Sequence, residues 1–129
     1  MARRMLTFRP RQLEDLSHNL KLDFEARLLD YLRRAFPRPV RRMSHAALDA
    51  LVRDGVARAL EYGLTTERDA CKLVSLLFLL GRDFDQEPWA REILRGSRVH
   101  RRLSKIDLLY REAMKRESSI GADDVRRAG

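Results

Sequence analysis

Thr66-Glu-Arg-Asp-Ala-Cys-Lys-Leu-Val-Ser-Leu-Leu-Phe-Leu-Leu-Gly81 is the stretch on which the fold turns. A helix starts at Thr65 or Thr66, Thr66 and Asp69 having the spacing of a helix-capping pair, and ends at Gly81. From Leu73 to Leu80 the apolar side chains go almost all the way round the wheel, and only Ser75 interrupts them. Such a helix is covered on every side or lends one side to a partner. Leu73, Leu76, Leu77 and Leu80 share one arc and should face other helices. Leu79 lies on the far side beside Ser75, flanked by Lys72, and is the residue expected to meet a partner.

Working outward, the neighbours also read as helices. Upstream, Ser44 is a good N-cap for a helix to about Tyr62, with Leu48, Leu51, Val52, Val56, Ala59 and Leu60 on its apolar face and Gly63 as its stop. Gly55 and Ala59, four apart, permit a close backbone approach there. Before it, residues 10 to 36 read as one long helix opened by Pro10. Its stripe is Leu13, Leu16, Leu20, Phe24, Leu28, Tyr31 and Ala35. Pro37 and Pro39 end it, leaving a stiff basic connector as far as Met43. Downstream, residues 82 to 87 form an acidic turn expected to be solvated. Pro88 opens a short helix from Trp89 to Arg95, closed by Gly96. Ser97 caps a last helix to about Glu117, with Val99, Leu103, Ile106, Tyr110 and Ala113 facing the core.

The expected fold is all-α, an irregular bundle of four main helices and one short one with the third helix central. One domain would occupy residues 1–117, and a frayed tail 118–129. A chain of 129 residues that is 44% hydrophobic buries enough surface to fold without staples. A single cysteine excludes an internal disulfide. The basic N-terminus lacks the apolar stretch of a signal peptide, and no run approaches the ~20 residues of a membrane span. The expected location is the cytoplasm, with no membrane partner.

Chemistry-bearing motifs are sparse. Asp83, Asp85 and Glu87 alternate like the start of a calcium loop, but that loop's glycine and final carboxylate positions hold Pro88 and Leu94. Cys71 sits one turn before the apolar run and reads as a core residue rather than a reactive thiol. His18, His45 and His100 are scattered. There is no phosphate loop, nucleophile elbow or metalloprotease motif. No catalytic residue, metal or cofactor is expected, and the chain reads as a non-enzyme.

The net charge is +8, with 23 arginines against 4 lysines. A GC-rich coding bias explains that ratio. The alternative is a nucleic-acid face built from Arg38, Arg41 and Arg42, near Arg33 and Arg34, with a second cluster at Arg98, Arg101 and Arg102. Sequence-specific reading is disfavoured, because a recognition helix must present polar side chains to base edges and the third helix carries Leu, Val and Phe. Phe84 and Trp89 bracket the acidic turn, either as an aromatic plug over the bundle end or, with Leu79, as partner-binding anchors.

The stretch Tyr62-Gly-Leu-Thr-Thr-Glu-Arg-Asp-Ala-Cys-Lys-Leu73, with Phe78-Leu-Leu-Gly-Arg-Asp-Phe-Asp85, Pro88-Trp-Ala-Arg-Glu-Ile-Leu94 and the opening Leu6-Thr-Phe-Arg-Pro-Arg-Gln-Leu13, resembles small helical accessory proteins of bacterial type VI secretion effector modules. The likeness covers residue 6 to about 95 and is weakest in the last helix. It implies a co-chaperone or adaptor that accompanies a secreted effector, its dedicated chaperone and a spike-tip protein, and it implies no catalytic residues. An immunity protein that occupies a toxin's active site is a further alternative. An acidic surface would suit that role better than this basic one.

Overall fold

The computed structural model describes residues 12, 13, 16–96 and 102–128, the last helix beyond 116 by its backbone alone. Six helices follow in order: α1 (His18–Ala35), α2 (Pro37–Arg41), α3 (His45–Glu61), α4 (Glu67–Leu80), α5 (Pro88–Leu94) and α6 (Lys105–Ala128). A 3₁₀ turn, Phe84–Gln86, precedes α5. The protein is all-α, and the described residues contain no strand beyond an isolated bridge between Gln12 and Thr66.

α4 occupies the centre. Thr66 Oγ1 accepts from the Asp69 N–H at 3.1 Å, and Gly81 takes φ +110° at the other end. Glu67, Ala70, Cys71 and every residue from Leu73 to Leu77 are buried, because α1, α3, α6 and the 3₁₀ turn all pack on it. Its most extensive contact is with α3. There the missing side chain of Gly55 matters: a Cβ at that position would lie 2.7 Å from Val74 Cγ2 and 3.1 Å from Leu77 Cδ1. α3 begins where Ser44 Oγ accepts from the Ala47 N–H at 3.0 Å. It ends in a Schellman motif: Gly63 at φ +78° donates to the Leu60 carbonyl and Leu64 to that of Ala59.

Several expected boundaries move. α1 starts at His18, because Ser17 Oγ accepts from the Leu20 N–H and makes a better start than the upstream proline. Leu13 and Leu16 are buried off the helix: Leu13 N–H donates to the Thr65 carbonyl at 2.6 Å, beside the Gln12–Thr66 bridge, and Leu16 N–H donates to Leu13. Leu20, expected in the core stripe, is 41% exposed, and Leu32 is buried instead. Pro10 lies outside the described residues. The expected connector 37–43 is mostly helix α2, because Pro37 and Pro39 sit in a first turn where their missing N–H groups have no partner to lose. α6 starts after Ser104, whose Oγ accepts from the Asp107 N–H and whose carbonyl accepts from Leu108. The expected cap Ser97 lies outside the described residues, as does Val99. α6 also continues past Glu117 to Ala128. Two serines cost a helix little, and Arg126 and Arg127 suit the negative end of its dipole.

The acidic turn is solvated in part: Arg82, Asp83, Gln86 and Glu87 are exposed as expected, while Phe84 and Asp85 turn inward. Asp85 is fully buried and accepts from Arg58 Nη1 at 2.9 Å and the Tyr62 hydroxyl at 2.6 Å. Burial and the Asp85 carboxylate push the Tyr62 phenol up to about 12. Glu67, equally buried, accepts two bonds from the Arg27 guanidinium at 3.2 and 3.1 Å. A buried carboxylate is tolerated only when matched this way.

Two substitutions test this core by urea denaturation. Gly55→Ala should lose about 1–2 kcal/mol, since the clash with a stiff Val74 exceeds the gain in helix propensity; a gain in stability would mean that α3 and α4 separate freely. Asp85→Ala should lose about 2–3 kcal/mol by taking the acceptor from the Tyr62 hydroxyl and leaving Arg58 with Asp54 as its close carboxylate, and a loss under ~0.5 kcal/mol would place the carboxylate in solvent after all.

Candidate partner-binding groove

On the side of α4 away from α3, Lys72, Ser75 and Leu79 form a stripe at i, i+3 and i+7. Facing it, α6 presents Asp107, Tyr110, Arg111 and Met114 at i, i+3, i+4 and i+7. The two stripes leave a groove of about 490 Å³, completed by Tyr31 and Phe36 from the end of α1. Phe36 packs on Phe78, ring centroids 5.5 Å apart, and meets Tyr31 edge-on at 6.4 Å. Leu79 is 38% exposed, the one large hydrophobic residue of α4 to be so open among the described residues.

The polar groups of the groove are largely occupied by one another. Lys72 Nζ donates to Asp107 Oδ1 at 2.5 Å, and Ser75 Oγ donates back to the Cys71 carbonyl at 2.8 Å. Burial raises the Asp107 pKa, but the bonds from Lys72 and Ser104 outweigh it and hold the carboxyl below its ordinary value. What the groove offers is aromatic and aliphatic surface, with Arg111 exposed on its wall. A site of this shape suits apolar side chains better than a polar small molecule.

The chain matches no family model, no curated protein and no solved structure.

The expected site residues are dispersed by the fold. Leu79 lines the groove. Phe84 is buried, tilted against Trp89 with centroids 6.3 Å apart. Trp89 is half-buried, donates its indole N–H to Glu87 Oε2 at 2.6 Å and carries the Arg116 guanidinium 4.5 Å above its ring. These two close a bundle end and do not reach the groove. Arg38, Arg41 and Arg42 are exposed on and just after α2. Arg102 is exposed, while Arg98 and Arg101 lie outside the described residues. His18 and His45 are exposed on different helices, and among the described residues no three His, Cys, Asp or Glu side chains converge on a metal-sized site. No described helix is long and apolar enough to cross a membrane.

Sequence reasoning missed the other walls. Tyr31 and Tyr110 were expected on core faces, and both are half-buried at the groove. The signal available was the mixed stripe of acid, aromatic, base and methionine along α6, too polar for a core and too apolar for a solvated face.

The Lys72–Asp107 pair sets the pH response of this wall. With its folded pKa below the unfolded ~3.9, the Asp107 carboxylate contributes stability that is complete above that pH and lost as pH falls through the folded value. Asp107→Asn should therefore cost about 0.5–1 kcal/mol at pH 7, the range of a solvent-screened bridge. Denaturation curves of the two proteins should converge as pH falls through and below the folded pKa of Asp107, and a gap unchanged by acid would assign the loss to something other than this charge.

Proposed function

We propose that this chain is a non-enzymatic protein-binding module whose groove between α4 and α6 holds an apolar segment of a protein partner. The observation that carries the reading is Leu79, open to solvent on an otherwise covered helix and ringed by Tyr31, Phe36, Tyr110 and Met114. Apolar surface gathered in a concave site marks binding more often than chance exposure does. The walls are helices, and no strand edge exists among the described residues to pair with an extended peptide, so a helix-in-groove mode fits best. The resemblance of residues 6 to 95 to type VI accessory proteins suggests where the partner comes from: a secreted effector or its dedicated chaperone, with this chain as co-chaperone or adaptor. Shielding that segment until delivery would be the mechanism.

Reading of DNA sequence by α4 is disfavoured on the same grounds as this proposal is favoured. The helix is interior from Ala70 to Leu77 apart from Lys72, and has no polar face to offer base edges.

Co-purification of a tagged copy expressed from its native gene neighbourhood tests the proposal. Leu79→Asp should stay folded by circular dichroism and weaken the complex roughly 30-fold or more, the equivalent of about 2 kcal/mol. Leu76→Asp, at a fully buried position, should fail to fold. An effector complex undiminished by Leu79→Asp would remove the groove from the mechanism.

A further inference from the structure

Residues 31–48 contain five arginines, Arg33, Arg34, Arg38, Arg41 and Arg42, and no acidic residue. One of these, Arg34, is matched by Asp30 just upstream, as Arg27 is by Asp23, Arg53 by Asp49 and Arg58 by Asp54, each four residues apart. Arg33 lies against His45 Nδ1 at 2.7 Å, tying the end of α1 to the start of α3. Arg38, Arg41 and Arg42 are exposed and form no ion pair among the described residues. Spaced three and four apart, they fall on one side of α2.

This corner adjoins the groove through Phe36, which lines the groove and is also the N-cap of α2, two residues before Arg38. On the facing wall Arg111 is exposed, and Asp107, one turn before it, is already taken by Lys72. Asp107 is the one carboxylate in the groove lining, so a segment seated on Leu79 meets the exposed Arg111 and no uncommitted acid there, and the arginine corner begins two residues beyond Phe36. Arginine is well suited to that task, because its planar fork takes a carboxylate with two bonds.

We infer that the groove's occupant is an acidic amphipathic helix, its apolar anchors on Leu79, Tyr110 and Met114 and its carboxylates opposite Arg111 and the Arg38, Arg41 and Arg42 corner. The inference rests on the protein-binding reading of the groove and adds the partner's charge.

The probes are two synthetic helix-forming peptides with the same leucine stripe, one flanked by glutamates and the other by glutamines, and a random-sequence DNA duplex. Each is followed by fluorescence anisotropy on the full chain. The glutamate peptide should bind about tenfold more tightly at low salt, the combined effect of several screened charge pairs, and the margin should shrink as salt rises. Reversing Arg38, Arg41 and Arg42 to Glu should abolish the margin and leave the glutamine peptide's affinity unchanged. The triple Gln variant should do the same where reversal disturbs α2. Leu79→Asp should weaken both peptides. Equal affinities, with Leu79→Asp still weakening both, would overturn the acidic occupant and keep the groove. A margin that survives the triple substitution would remove the corner from the contact. Failure of both peptides to bind would overturn groove and occupant together, and duplex binding lost in the triple variant would then make the corner a phosphate-binding face.

Discussion

α4 can be surrounded only because α3 approaches it at a residue with no side chain. Gly55 lets the α3 backbone settle onto Val74 and Leu77, and that closeness leaves room for α1 and α6 to reach the remaining sides. Buried carboxylates then fix the ends. Glu67, in the first turn of α4, is held by Arg27 of α1, and Asp85, just beyond its last turn, by Arg58 of α3. Sliding either helix by one turn would leave a carboxylate in the interior without its cation, which costs several kcal/mol. Close packing sets the distance and the ion pairs set the register. Beyond its first turn, the part of α4 left most open is at Leu79, with Lys72 half-covered on the same stripe.

That division explains what the sequence could disclose. Starts and stops with a single strong candidate were legible: Ser44 and Gly63, Thr66 and Gly81, Pro88 and Gly96. Where two candidates competed, apolar spacing did not discriminate between them. Leu13 and Leu16 are three apart, and a tight turn buries them as well as a helix does, so Ser17 takes the start expected of Pro10. Prolines 37 and 39 were read as breakers, although a first turn accepts both. The Leu79 stripe was visible because Ser75 and Lys72 interrupt an apolar run. Which helix would face that stripe was not, since no local pattern tells α6 to lie beside α4, and the half-buried tyrosines read equally well as core. Asp85 was misjudged for the same reason: its partners are 27 and 23 residues upstream.

The arginine content has two layers. In one, four arginines of α1 and α3 are each matched by an aspartate one turn earlier. Such pairs are individually weak. In the other, the 18-residue stretch 31–48 holds five arginines and no carboxylate at all. Positive charge gathered at one corner without an acid beside it gives a small domain a direction in the field of its neighbours, and so an orientation of approach.

Cys71 gives the interior a clock. Its thiol is fully buried, and burial pushes its pKa up to about 12, so in the closed molecule it is neither reachable nor ionised. It is the chain's only cysteine. Any thiol reagent must wait until α4 is uncovered, and its rate of incorporation then measures how often the centre of the bundle opens. A partner that seals the groove and one that pries the helices apart would push that rate in opposite directions, so the native sulfur distinguishes clamping from remodelling without an added label.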